Sequence, residues 1–332
     1  MGKSYWQVAA GSKGRNYANL FIKFGLAFVG GDPHVKTMSQ VAPGDIIILK
    51  DGLSIIVAVG EVVSRNGKHN GCDDKPWLRD FDGWDLRAWC NVDWRVPKAP
   101  HSTTGLTRTT IQRVHQDNHM KIADNLLQLP KSPFVAEPPT TAEVTDSRIL
   151  EFLVAEGLRP SAAEDLTNTF RRIRLLAEYY YNNCAWEEIR EHETRTFLIV
   201  PLLLALGWAE QQLKIEYPAT GGRVDLACFS RAQNQKNSEC ALILESKDFA
   251  SGLDYAQEQA RSYAKSFPSC RVLVVSNGYC YKTYIRDSKS AFSATPSAYL
   301  NVLKPRTRYP LDPENVDGAL EVLRWLLPVT LR

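Results

Sequence analysis

A chain of 332 residues exceeds one typical domain, and a 44% hydrophobic content is enough to fill two cores. With 40 basic against 37 acidic residues the formal charge is only +3, so bulk charge does not announce nucleic acid, and any basic patch must be local. Seven cysteines without a Cys-x-x-Cys pair argue for reduced, buried thiols rather than disulfides or a zinc site. No apolar run approaches a membrane span, since Phe197 to Leu206 is too short. The opening Met-Gly-Lys-Ser-Tyr-Trp-Gln lacks the apolar core of a signal peptide, so a cytoplasmic protein with no membrane partner is expected.

From Tyr5 to Val96 short apolar runs alternate with turns, which predicts strands at Trp6 to Ala10, Leu26 to Val29, Asp45 to Leu49, Ser54 to Val63 and Ala88 to Val96. A short helix is expected over Asn16 to Phe24. Ala42-Pro43-Gly44-Asp45 feeds one apolar strand and Asp51-Gly52 leads to the next, a hairpin signal. Two features here bear on function. The loop Ala10 to Asn16 is Gly-rich and basic, and reads either as a phosphate cradle or as a plain surface turn. Trp77, Phe81, Trp84, Trp89 and Trp94 crowd into eighteen residues between Arg79, Arg87 and Arg95, either as core filling or as a stacking pocket for a base.

The strand order, the Pro-Gly-Asp before an apolar strand and the later Gly60-Glu61-Val62-Val63 resemble a PUA-like or EVE-type domain. That resemblance implies a mainly-β barrel over residues 1–129 that reads a modified base in an aromatic pocket. The residues then expected to touch nucleic acid are Trp6, Trp77, Trp84 and Trp89 in the pocket and Lys13 and Arg15 on flanking phosphates.

A helix is expected over Asp117 to Leu129, and the prolines at 130, 133, 138 and 139 mark residues 130–145 as a linker. The second domain, 146–332, is expected to open with a helix capped by Ser161-x-x-Glu164 and reaching about Asn182. Its stripe of Leu166, Phe170, Ile173, Leu176 and Ala177 faces a core, while Arg171, Arg172 and Arg174 form a solvated face or a phosphate contact. A helix over Glu188 to Leu206 and a strand over Leu213 to Tyr217 follow. A hairpin of Val224 to Phe229 with Cys240 to Leu244 comes next, then a helix over Leu253 to Ser266 and two strands, Val272 to Ser276 and Tyr279 to Ile285. A closing helix is expected over Glu314 to Leu327.

The hairpin carries the chemistry. Asp225 lies early on its first strand, and Glu245-Ser246-Lys247 closes its second. Because strand side chains alternate, Glu245 and Lys247 share a face and Ser246 takes the other. A salt-bridged sheet edge would look the same in sequence. Charges that end a buried apolar strand are costly unless they bind something, and clustered carboxylates suit Mg²⁺.

Asp225, a spacer and Glu245-Ser246-Lys247 resemble the PD-(D/E)XK nuclease signature, with Val224 in place of the nominal Pro. Glu193-Thr194-Arg195, Pro201-Leu202-Leu203, Leu206-Gly207-Trp208 and Gln259-Ala260-Arg261-Ser262-Tyr263 extend the resemblance to the N-terminal nuclease domain of type I restriction enzyme R subunits. It implies a mixed-sheet, restriction-endonuclease-like α/β domain and a Mg²⁺ cofactor, with Mn²⁺ as substitute. Asp225, Glu245 and the Ser246 carbonyl would hold the metal, and Lys247 would serve the attacking water. Glu193 would bind a second metal or orient Lys247, and Gln259 would orient groups or touch the DNA backbone.

The expected protein is thus an α+β, two-domain, modification-dependent DNA endonuclease, acting on double-stranded DNA as a homodimer for double-strand cleavage. The alternatives are an inactive or signal-gated nuclease fold, or a first domain that binds RNA or a small nucleotide.

Overall fold

The computed structural model describes every residue except 1, 13, 184–187, 234, 255, 288–290 and 332, and only the backbone of 256. The chain divides into two units, Met1–Pro138 and Pro139–Arg332, each built around one sheet, which makes it a two-domain α+β protein.

In chain order the first unit contains β1 (Tyr5–Ala9), α1 (Ala18–Phe24), β2 (Leu26–Val29), α2 (Asp32–Met38), β3 (Ile46–Asp51) and β4 (Ile55–Val62). It continues with β5 (Asn70–Cys72), β6 (Ala88–Arg95), β7 (His101–Ser102), β8 (Ile111–Arg113) and α3 (Asp117–Leu126). The sheet runs β2-β6-β4-β3-β1-β8 and curls into a half-barrel, with β1 and β3 parallel. The Asp45 N–H donates to the Ala42 carbonyl at 3.0 Å around Pro43 and Gly44, and Gly44 adopts φ 87, as a turn with Pro then Gly requires. The Asp45 carboxylate then accepts from the Ser4 and Ala42 backbone N–H groups and from the indole of Trp6, locking β1 beside β3. Helix α2 is not among the expected elements, and the two residues before it, Gly30 and Gly31, are poor helix formers. Asp32 and Pro33 instead start a helix, with Pro in its first turn.

Residues 130–138, expected as the first part of a linker, are hydrogen-bonded to the first unit. The Ser132 N–H donates to the Trp94 carbonyl and the Val135 N–H to the Lys23 carbonyl, each at 2.8 Å. Glu137 accepts from the Trp77 indole at 3.0 Å and pairs with Lys75.

The second unit comprises α4 (Asp146–Ala155), α5 (Pro160–Asn182), α6 (Glu191–Thr194), a π turn over Arg195–Ile199 and α7 (Val200–Ala205). Then come β9 (Leu213–Ala219), β10 (Gly222–Phe229), β11 (Cys240–Ser246), α8 (Ala256–Ala264), β12 (Val272–Ser276), β13 (Cys280–Ile285), β14 (Ala298–Asn301) and α9 (Ala319–Leu326). The start of α5 differs from the expected cap. Arg159 precedes the helix and Pro160 opens it, so Ser161 lies inside the first turn. Arg174 is tied to Asp146 and to the Val302 carbonyl, while Arg171 and Arg172 stay exposed.

The sheet order is β14-β13-β12-β11-β10-β9. Strands β9, β10 and β11 form an antiparallel meander. The parallel step from β11 to β12 takes a crossover, which α8 supplies. The expected continuous helix over 188–206 is broken in character at Pro201. Pro has no N–H for the Phe197 carbonyl, and the Val200 N–H reaches back five residues to the Arg195 carbonyl. The start of this helix rests on the β12–β13 turn, where a side chain on Gly278 would lie 2.6 Å from Leu198 and 3.2 Å from Thr194. Among the described residues, no helix is long and apolar enough to cross a membrane. The six described cysteines are free thiols, five of them buried.

Candidate active site

The β10–β11 ladder closes at the pair Leu226 and Leu244, and Asp225 and Glu245 are the next residues along each strand. They therefore stand where the strands part. Here the Ser246 N–H donates to Asp225 Oδ2 at 2.7 Å, and the Ser246 hydroxyl lies 3.0 Å from the same oxygen. On the other side of β10 the ladder to β9 pairs Val224 with Tyr217 and Leu226 with Ile215, and skips Asp225 and Glu216. Glu216 has a left-handed backbone, φ 52.

Lys247 Nζ lies 2.8 Å from Glu245 Oε1, which places both side chains on one face as the alternation requires. Glu191, at the start of α6, completes the cluster. Its Oε2 is 3.9 Å from Lys247 Nζ, its Oε1 is 3.2 Å from the Ser246 hydroxyl, and its backbone N–H donates to Asp248 at 2.9 Å. Arg195, one turn further along, has Nη1 3.2 Å from Asp225 Oδ1 and 2.8 Å from Glu216 Oε1.

Burial and mutual repulsion load this cluster with protons. Burial, helped by the Asp225 charge, pushes the Glu245 carboxyl up to about 7 against the pull of Lys247. Burial and Asp225 push Glu191 up to about 7 in the same way. Burial pulls the Lys247 ammonium down, but the Glu245 hydrogen bond and the charges of Glu245, Glu191 and Asp225 outweigh it and its pKa is raised.

The residues expected in the site divide. Asp225, Glu245, Ser246 and Lys247 are brought together. Glu193 instead accepts the Arg190 N–H at 2.8 Å and caps its own helix. Gln259 is exposed, and its amide donates to Tyr263 Oη at 3.0 Å. Glu191 takes the place expected for Glu193, and helical spacing carried the signal. Glu191, Thr194 and Arg195 stand at i, i+3 and i+4 and share a face, whereas Glu193 does not. Glu216 left no such mark, since its part depends on a backbone conformation rare for its residue type.

The N-terminal set divides as well. Trp6 is 1% exposed and bonded through its indole to Asp45, and Trp77 is 5% exposed among Phe24, Phe28 and Phe81. Both pack the core instead of lining a pocket. Arg15 is 3% exposed, with its guanidinium 4.1 Å from the ring centre of half-buried Trp84 and donating to the Asp82 carbonyl, so it stacks inward rather than reaching for phosphate. Lys13 lies outside the described residues. Trp89 is 4% exposed, as buried as Trp77, but it borders a cavity of about 360 Å³ together with Phe24, Arg65, Asp74, Asn91 and Phe134. Its indole donates to Asp74 at 2.6 Å, and Lys75 Nζ sits 4.0 Å from its ring centre.

No protein-family model and no curated protein matches the chain. Among solved structures, protein Atu2648 from Agrobacterium tumefaciens is similar at 18% identity, over 39% of this chain and 99% of its own, with a TM-score of 0.26.

The donor set fits a hard cation in its chemistry. The candidate ligands are all oxygens, and two of the carboxyls, Glu245 and Glu191, are pushed up to about 7 by burial and by the Asp225 charge, which a cation would offset. Among the described residues, no group of three or more His, Cys, Asp or Glu side chains is close enough to hold a metal ion by itself. Mg²⁺ commonly takes one or two carboxylates and completes its shell with water and substrate phosphate.

Proposed function

We propose that the second unit is a Mg²⁺-dependent DNA endonuclease of PD-(D/E)XK type and that the first unit reads a modified base, so that the chain cuts modified DNA. The observation that carries this is the gathering of Asp225, Glu245 and Lys247 at one strand fork, with Lys247 Nζ 2.8 Å from Glu245. Asp225 and Glu245, with the Ser246 carbonyl, would hold Mg²⁺ or Mn²⁺. Once bound, the ion supplies charge neutralisation at the scissile phosphate and a more acidic water.

The chain's own residues do the rest. Lys247 orients the attacking water and screens the negative charge that develops on the phosphate. Ser246 fixes Asp225 through two donors to one oxygen, which takes a rotamer search out of the reaction. Glu191, with a carboxyl near 7 beside Lys247, is placed to accept a proton at neutral pH. The reader half of the proposal rests on the cavity that Trp89 borders, where the exposed ring of Phe134 is the one to offer a base stacking worth about 1–3 kcal/mol per contact. Double-strand cleavage would take two copies of the chain.

The test is cleavage of matched plasmids, either unmodified, adenine-methylated, or cytosine-methylated or hydroxymethylated, with Mg²⁺ present. Selective cutting of one modified plasmid is expected, with Asp225→Ala and Lys247→Ala inactive but folded. Undiminished nicking by either variant overturns the nuclease assignment, and equal cutting of all plasmids overturns the reader.

A further inference from the structure

We infer that Arg195 and Glu216 form a charge latch on Asp225, in which Arg195 competes with a cation for Asp225 Oδ1 and Glu216 draws Arg195 off it; this rests on the reading of Asp225 as a metal ligand.

Asp225 Oδ2 already receives the Ser246 N–H and hydroxyl at 2.7 and 3.0 Å, which leaves Oδ1 as the oxygen for another partner. Arg195 stands on that oxygen. Its Nη1 lies 3.2 Å from Asp225 Oδ1, 3.5 Å from the Asp225 carbonyl and 2.8 Å from Glu216 Oε1. One nitrogen with two protons thus faces three acceptors and cannot serve all of them at once. The guanidinium does not deprotonate to make way for a metal, and its side chain is only 10% exposed, so it is largely shut off from solvent. Its alternative partner is Glu216 at the exposed rim, whose side chain is 46% exposed.

The backbone supports the same reading. β9 leaves its ladder with β10 at the Glu216–Asp225 position, where Glu216 takes φ 52. A glutamate held in the left-handed region inside a strand is strained, and the strain falls where its carboxylate meets Arg195. A divalent cation at Oδ1 would lie beside a fixed positive charge. The division of Arg195 between Asp225 and Glu216 therefore sets the affinity of the site, and both are positioning residues.

Titration of Mn²⁺ into the full-length, DNA-free protein, followed by calorimetry, tests the latch. Glu216→Gln should weaken binding on the order of tenfold, because Arg195 then settles on Asp225, and Arg195→Gln should tighten it by a similar factor. The double variant should match Arg195→Gln, since Glu216 acts only through Arg195. Where Arg195→Gln does not fold, Arg195→Met supplies apolar volume in the same background. The Glu216→Gln effect should also persist at high salt, which screens an exposed charge acting through solvent. The latch is overturned if Glu216→Gln leaves affinity unchanged, if its effect is the same with and without Arg195, or if salt abolishes it. Should the wild type bind no Mn²⁺, or Asp225→Asn bind it as well as the wild type, the metal reading fails and the latch falls with it. Loss of binding in Asp225→Asn with an inert Glu216→Gln sinks the latch alone.

Discussion

The hydroxyl of Thr194 lies 2.9 Å from the carbonyl of Lys247, across 53 residues of sequence, and 2.7 Å from the carbonyl of Glu191. One proton is shared between the helix that carries Glu191 and the strand end that carries Lys247, at a residue with no solvent exposure. Thr194→Val keeps the shape and removes the donor. It should cost about 1–3 kcal/mol in urea unfolding, the penalty for a buried carbonyl left unpartnered. It should also lower plasmid cleavage more than DNA binding, because it loosens the two elements of the site against each other.

Glu191 and Glu193 are two residues apart and should behave in opposite ways. Glu193→Ala removes a helix cap and should cost about 0.5–2 kcal/mol of stability while leaving cleavage close to wild type. Glu191→Gln keeps the cap and should cut cleavage by at least an order of magnitude, the size of a lost acid–base or charge contribution. The reverse result would restore Glu193 to the site.

The protonated carboxyls make metal-free stability fall with rising pH. Burial raises Glu245 and Glu191 from their ordinary 4.5 to about 7. Between those values the native state binds more protons than the unfolded chain. The resulting stabilisation is present below 4.5 and lost as pH rises through about 7. Melting temperatures of chelator-treated protein should drop across this window, and Glu245→Gln should flatten the drop. Added Mg²⁺ should restore stability most at the alkaline end, where no proton competes for the carboxylates.

Trp77 and Glu137 hold residues 132–137 to the first unit. Trp77→Phe retains the ring among Phe24, Phe28 and Phe81 but loses the 3.0 Å bond to Glu137. Proteolysis within residues 130–138 should then become faster with little change in the unfolding midpoint. An equal fall in midpoint would show that the indole N–H serves the core instead.

Much of the sheet framework was readable because strand apolarity and turn chemistry are local. Leu26 to Val29 and Val272 to Ser276 appear at the expected residues, and Pro43-Gly44 turns where its φ preferences place it. Asp225, Glu245 and Lys247 were legible because spacing along a hairpin fixes which side chains meet. Burial of tryptophan was not. Trp6 and Trp89 look alike in sequence, and what separates them is the partner each indole finds, Asp45 in the core and Asp74 at a cavity wall. Arg15 was misleading for a related reason. A basic residue in a Gly-rich loop reads as exposed until a ring such as Trp84 lies within reach to cover it.

The π turn over Arg195–Ile199 has a consequence for chain length. It holds more residues per turn than an α-helix, so losing a single residue there would let the segment relax into a regular helix. Each residue of an α-helix turns it by about 100°. A residue lost from a regular helix would therefore rotate one flank against the other, but the π turn already absorbs one extra residue, so shortening it by Thr196, an exposed side chain, should leave Glu191 and Thr194 at the strand fork and Leu202 and Leu203 in the core. This turn is where nature or an engineer could shorten the chain by one residue and keep both the site and the fold, whereas the same deletion within Val200–Ala205 would turn the site away from its core.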